Sequence, residues 1–348
     1  MEQAVYSGLV LAGPTLEPRF ADVVVEAGRI GAVEERKRAP ERWICPAFFN
    51  AHTHLGDTIA MDAPARGELA SLVAPPDGLK HRLLREARRD DCVAAIRQSV
   101  RRMMRGGTAG FADFREGGTR GIEIVREALR GLPIRAIVLG RAGGESVGDG
   151  AGIASTRDIA DYRLVVERVR SSGGLIGFHA GECTSDDVDP ALDCRPDFVV
   201  HMTHATDAQL MRCAEEGIPI VCCPRSNWRL GVADRPDLPP VASMLECGCT
   251  VLLGTDNAMF VSPDMGGELM FASTIYRCDP VHLLRAAIEG SAVLAEPSWI
   301  QVGARASFVV VNPERAGLSF SRDPIASLVR RFDASAIEKI LLTCETNL

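Results

Sequence analysis

Lysine is almost missing from this sequence. Only Lys37, Lys80 and Lys339 occur, and the other 36 of the 39 basic residues are arginine. There is no surplus of positive charge either, since the formal net charge is −7. Binding along a nucleic-acid backbone requires basic clusters that displace counterions, so a nucleic-acid partner is not expected. The one basic stretch, 82–105, also holds Glu86, Asp90 and Asp91, and it reads as a solvated helix face. No apolar run approaches the roughly 18 residues needed to span a bilayer, so no membrane partner is expected. The first residues carry Glu2 and no basic segment, which argues against a secretory leader and for a cytoplasmic location. Cysteine pairs at C-x2-C spacing are absent: Cys222 and Cys223 are adjacent, and one residue parts Cys247 from Cys249. A thiolate zinc site is therefore not expected. The 11 cysteines are odd in number and follow no framework, as buried small hydrophobes or free thiols would. Internal repeats and low-complexity stretches are also lacking.

What remains is the composition of an ordinary globular protein, 46% hydrophobic and 24% charged over 348 residues. Residues 4–12 and 21–35 read as strands of a small antiparallel sheet, with a turn at Ala27-Gly28. After a proline-rich join at 38–46 the rhythm changes. Short apolar runs at 44–52, 107–114, 132–140, 148–155, 174–180, 197–203, 217–224 and 248–256 read as strands. Helical spacing at 80–105, 119–130, 157–172, 206–216 and 239–247 separates them. Apolar strands alternating with helices imply parallel strands covered on both faces, and eight of them close a barrel of about 250 residues. Residues 304–314 return to the style of the first strands. The expected fold is therefore an α/β protein: a (β/α)8 TIM-like barrel at 46–299, with a small β-sandwich domain from 1–45 plus 300–348.

Five of the seven histidines fall at or just past the ends of these runs: His52, His54, His179, His201 and His204. In a parallel barrel those strand ends open on one face, where catalytic groups collect. His52 and His54 alternate along a strand and so point to one side. The competing reading is a pair of polar residues at a strand end. His179 closes the run GLIGFHA and is followed by Glu182, where the competing reading is a satisfied core histidine. Asp256 follows LLGT directly and needs a charge partner or a proton. Its competing role is to cap a helix continuing into 264–275. Three imidazole nitrogens, one carboxylate oxygen and room for water make an open catalytic metal site. It suits one divalent ion, zinc first, with iron or manganese as alternatives.

The segments PAFFNAHTHLGDT (46–58), FHAGE (178–182), VVHMTHAT (199–206), CCPRSN (222–227) and LLGTDNAMF (252–260) resemble the amidohydrolase superfamily. The branch they are most similar to holds cytosine, guanine and S-adenosylhomocysteine-type deaminases and triazine chlorohydrolases. The resemblance runs over essentially the whole chain, and SFVVVNPE (307–314) is close to a late motif of that family. It implies metal ligation by His52, His54, His179 and Asp256. It further implies that Glu182 shuttles a proton to the substrate's ring nitrogen, and that Asp256 takes the proton from the attacking water. His201 would polarise that water or stabilise the developing alkoxide, while His204 fills a second position often held by histidine. Dinuclear members bridge two metals with a carboxylated lysine on the fourth strand. No lysine lies between Lys80 and Lys339, so one ion is expected.

Substrate contacts are expected from Asp57, Asp62, Arg66 and His81 in the segment after His54, and from Arg115 and Glu116 at another strand end. The last pair equally reads as a surface ion pair. Asn227 and Trp228 follow on a loop of the same face, where Trp228 either stacks a heterocycle or packs. The resemblance implies an aminohydrolase that releases ammonia from a nucleobase, nucleoside or related nitrogen heterocycle. The rival readings are hydrolysis of a cyclic amide or a C–Cl bond, and a catalytically silent binding barrel. The expected partner is a small molecule, with assembly into homo-oligomers left open. The sequence ends at LLTCETNL (341–348), where members of the family continue with another strand, so a trimmed satellite sheet is expected.

Overall fold

The computed structural model of the chain describes residues 3–342 other than 65, 158 and 295. Four strands come first: β1 (Gln3–Ala12), β2 (Glu17–Glu26), β3 (Arg29–Glu35) and β4 (Trp43–Pro46). The turn expected inside 21–35 falls at Ala27 and Gly28, both with positive φ (49° and 76°). Eight strands separated by helical segments follow: β5 (Phe48–His54), β6 (Thr108–Arg115), β7 (Arg135–Gly140), β8 (Gly150–Ile153), β9 (Leu175–Ala180), β10 (Phe198–His201), β11 (Ile220–Cys222) and β12 (Val251–Leu253). A two-residue β13 (Asp256–Asn257), then β14 (Phe308–Val311) and β15 (Ile337–Leu341), complete the strands. No helix among the described residues is long and apolar enough to cross a membrane.

Two sheets result. The smaller has the order β15-β14-β4-β1-β2-β3 and draws on both ends of the chain. β15 pairs with β14 where a trimmed edge was expected, while 343–348 lie outside the described residues. The larger has the order β12-β11-β10-β9-β8-β7-β6-β5-β13, with every pair parallel. It curls until β12 meets β5. There the Thr255 amide donates to His52 O at 3.0 Å and to Asn50 Oδ1 at 3.0 Å, and Asn50 Nδ2 donates to Thr255 Oγ1 at 2.8 Å.

Alternate residues of the strands fill the barrel. Phe49, Ala51, Phe114, Leu139, Phe198, Val200, Val221 and Leu252 form one buried cluster there. Phe114 needs unusual room: a Cβ on Gly152 or Gly177 would lie 2.7 or 2.6 Å from its ring. Those two strand glycines admit the ring. It forms the floor of the site, edge-on to His52 and His179 with centroids 4.6 and 4.9 Å apart.

The helix expected over 80–105 is two helices, Leu79–Glu86 and Arg89–Arg105, parted by extended Ala87 and Arg88. Apolar spacing continues across the break, so periodicity alone does not reveal it. The first helix turns inward because Lys80, 3% exposed, reaches buried carboxylates.

Candidate metal centre and active site

His52 and His54 alternate on β5, and both are buried on the barrel axis. His179 lies one residue before the end of β9, and Asp256 begins β13 beside β5. Asp256 is the start of a strand, and the later helix Met265–Ile275 has Asp264 at its N-cap, so the capping role for Asp256 falls away. Four residues from three parts of the chain converge, with one ligand atom from each within 4.8 Å of the others. His52 Nε2 lies 3.3 Å from Asp256 Oδ1 and 3.2 Å from His179 Nε2, and His54 Nε2 lies 3.5 Å from Asp256 Oδ1. Zinc bonds to nitrogen and oxygen are about 2.0–2.1 Å long, so a tetrahedron of such ligands has edges of about 3.3–3.4 Å. Those three spacings are close to such edges.

Charge agrees with geometry. Burial pushes the His52 imidazole down to about 4 and His54 to about 3, and burial with the neighbouring cations holds His179 well below its usual value. All three are neutral near pH 7, as ligands must be. Against the cost of burial, contact with His52 holds the Asp256 carboxyl well below the usual range, so it is ionised. The remaining nitrogens have other neighbours. His179 Nδ1 is 3.1 Å from Ile153 O, and His54 Nδ1 is 2.9 Å from Glu116 Oε1. Each Nδ1 thus faces an oxygen, with Arg141 Nη2 also 3.2 Å from His179 Nδ1, and each Nε2 is turned to the cluster.

A cavity of about 350 Å³ opens over these residues, within the range of small-molecule sites. Glu182 and His201 line it with His54, His179 and Asp256. Glu182 Oε1 is 3.7 Å from His201 Nε2, and burial raises the Glu182 carboxyl. His201 and Asp256 have φ of 78° and 58°. Such left-handed backbone costs a non-glycine residue about 1–3 kcal/mol and persists where the surroundings impose it.

The expected substrate contacts fare differently, for none of them lines the cavity. Asp57 and Glu116 are buried beneath it, 3.0 and 2.7 Å from Lys80 Nζ. Arg115 is 3% exposed over Gly56, and its Nε donates to Glu116 O at 3.1 Å, so the surface ion pair is excluded as well. Asn227 is 1% exposed and binds His201 instead. Trp228 packs on Phe271, with ring centroids 6.3 Å apart. His204 sits on the turn after β10, its amide donating to Gly181 O at 2.9 Å. Arg66 lines a separate hollow outside the helix Leu69–Val73, Asp62 is exposed, and His81 Nε2 meets Val73 O at 3.1 Å.

Lys80 and Arg141 do line the cavity, and the sequence reading passed over both. Arg141 donates from Nε to Gly152 O at 2.6 Å, places Nη1 3.3 Å from Glu116 Oε1, and covers the Phe114 ring at 5.5 Å. It directly follows the apolar run of β7, the same signal that marked the histidines and Asp256. Lys80 is the only lysine in the stretch between β5 and β6, where every other basic side chain except His81 is arginine.

Comparison with known proteins agrees with this architecture. The Amidohydrolase family model matches residues 43–147, and the Adenosine deaminase model matches 147–303. A putative aminohydrolase of Archaeoglobus fulgidus is 36% identical, and one of Methanothermobacter thermautotrophicus 32%, each over 97% of both chains. A 5-methylthioadenosine/S-adenosylhomocysteine deaminase of Halobacterium salinarum is 28% identical over 91% of this chain and 84% of its own. Among solved structures, an adenosine deaminase from Xanthomonas campestris with bound zinc superposes with TM-score 0.77 at 17% identity, covering 97% of this chain and 91% of its own. An atrazine chlorohydrolase from Arthrobacter aurescens complexed with zinc gives 0.80 at 16%, covering 97% and 93%. At that identity the two structures speak for the fold alone. With full-length relatives above 30% identity and two family models spanning the barrel, this chain belongs to the amidohydrolase family.

Proposed function

We propose that the chain is an aminohydrolase that removes an exocyclic amine, as ammonia, from a nucleobase, nucleoside or related nitrogen heterocycle. The observation that carries this reading is that Glu182 and His201 line one cavity with His54, His179 and Asp256 of the four-residue cluster. The deaminase named among the relatives supports the substrate class. Three imidazoles and one carboxylate fit a single divalent ion, zinc before iron or manganese. When bound, such an ion supplies the Lewis acidity that makes a water nucleophilic near neutral pH.

The chain's own groups handle the protons. Glu182, its carboxyl raised by burial, gives a proton to the ring nitrogen beside the amine-bearing carbon. Asp256 takes one proton of the attacking water, with His201 as the water's hydrogen-bond partner, and that proton passes to the Glu182 carboxylate left after the ring nitrogen is protonated. The C–O bond forms, the C–N bond breaks, and Glu182 relays a proton to the departing nitrogen. The balance is water plus amine to carbonyl plus ammonia. Buried free thiols at Cys45, Cys92, Cys213, Cys222, Cys223 and Cys249 suit a reducing compartment, which favours action in the cytoplasm.

An ammonia-release screen of the zinc-loaded chain over aminopurines, aminopyrimidines and their nucleosides tests the reading. Turnover of at least one compound, abolished by Glu182→Ala, is expected. Chloride release from a chlorotriazine or ring opening of a cyclic amide, with no ammonia from any amine, would replace it.

A further inference from the structure

The segment Arg225-Ser226-Asn227 opens the helix Pro224–Arg229 at the rim just after β11, and the proposed reaction gives it no task. Arg225 anchors it. The Arg225 amide donates to Glu268 Oε1 at 2.8 Å and its Nε to Glu268 Oε2 at 2.6 Å, with Glu268 fully buried on the helix Met265–Ile275. The next two side chains, 0% and 1% exposed, reach in opposite directions. Ser226 Oγ donates to Asp256 Oδ2 at 2.6 Å, which leaves Oδ1 to face His52 and His54. Asn227 Oδ1 lies 3.1 Å from His201 Nδ1, and Asn227 Nδ2 donates to Thr203 Oγ1 at 3.1 Å. The Asn227 backbone is held too, by its own donation to Cys223 O and by donations from Val232 and Ala233. Asp256 and His201 are also the site residues with left-handed backbone. Adjacent members of one dipeptide therefore grip the two strained residues.

The chemistry of the grip is directional. A carbonyl oxygen only accepts, so Asn227 Oδ1 takes the Nδ1–H of His201. A neutral imidazole has one N–H, which leaves Nε2 as a lone pair toward the cavity and Glu182. We propose that Ser226 and Asn227 are positioning residues: Asn227 fixes His201 as an acceptor at Nε2, and Ser226 fixes which Asp256 oxygen faces the ligand cluster. His201 then accepts a hydrogen bond from the attacking water or from protonated Glu182, and does not donate to the developing oxyanion. The proposal rests on the reading that His201 and Asp256 serve the reaction, but its main readouts need no substrate.

Two-bond 1H–15N correlation on the zinc-loaded chain, with His201 assigned by its loss in His201→Gln, reads the tautomer directly. The proton is expected on Nδ1. Asn227→Ala is expected to remove that preference and to lower kcat by about tenfold or more, while KM and zinc content change less than about twofold. Ser226→Ala is expected to weaken zinc affinity, measured against a chelator, by about 10–100-fold, with recovery in Ser226→Thr. A His201 proton on Nε2 in the unaltered chain, or unchanged zinc affinity in Ser226→Ala, overturns the proposal. A chain that releases no ammonia from any amine while giving the expected tautomer and zinc affinity would instead count against the deaminase reading.

Discussion

Two buried polar clusters share the imidazole of His54. Its Nε2 faces Asp256 and the other ligands, while its Nδ1 faces Glu116 and, through it, Lys80 and Asp57. The first cluster holds three neutral imidazoles around one carboxylate, and among the described residues no lysine or arginine pairs with that carboxylate. It is built for a cation that the chain does not supply. The second supplies its own cations, Lys80 and Arg141, to a carboxylate that burial would otherwise neutralise. Against that burial, the Lys80 charge and His54 hold Glu116 well below the usual carboxylate range. The lesson is that one cluster serves an external ion and the other serves the fold. Damage to the first should cost chemistry, and damage to the second should cost stability.

The largest effect should come from the first cluster. His179→Ala removes a ligand, and metal content and turnover are expected to fall together, turnover by more than about 10³-fold, with the melting curve little changed. Elemental analysis beside an ammonia assay checks this; an active, metal-free variant would erase the distinction between the clusters. Glu182→Gln keeps shape and metal but loses the proton, so kcat should fall about 10²–10⁴-fold at full metal occupancy. Lys80→Met leaves Asp57 without its cation in the interior and Glu116 with Arg141 alone. Denaturant unfolding should show a loss of about 3–5 kcal/mol, far beyond what an exposed lysine would cost.

The smallest effect lies outside both clusters, in the terminal sheet. Asp22, 2% exposed, accepts from Ser7 Oγ at 2.7 Å and pairs with Arg36. The Ser7 hydrogen bond and Arg36 lower its carboxyl below 3.8 against the cost of burial. A group lowered on folding stabilises the fold above its unfolded value, and that contribution is lost as pH falls through the folded one. Asp22→Asn should therefore cost about 1.5–3 kcal/mol at pH 7 and progressively less as pH drops below 3.8. Urea midpoints at the two pH values decide it, and an equal loss at both would remove the charge from the explanation.

The ligand cluster was legible because its residues interrupt apolar strands at their carboxyl ends, where a polar side chain stands out. His52, His54 and His179 do so, and Asp256 follows the last apolar strand by three residues. The eight strands were legible for the same reason, down to the short β8. Lys80 was not, since it sits among arginines on a helix whose spacing reads as solvated, and only the break at Ala87 turns it inward. The polar residues expected to touch substrate failed for a related cause. Asp57, Arg115 and Glu116 were judged by charge, which predicts exposure to the cavity. Instead Lys80 pairs with both carboxylates and Arg115 donates to the Glu116 backbone, so all three lie buried. Ser226 and Asn227 stood in a quoted motif, but no spacing rule says which side chain a short polar residue will hold.

Titration of metal-free chain with zinc, followed by ammonia release from the best amine of the screen, tests the central claim most directly. Activity should rise linearly and break at one ion per chain, with His179→Ala showing neither binding nor activity under the same conditions. Full activity without added metal, or a break at two ions per chain, would contradict a single ion held by His52, His54, His179 and Asp256.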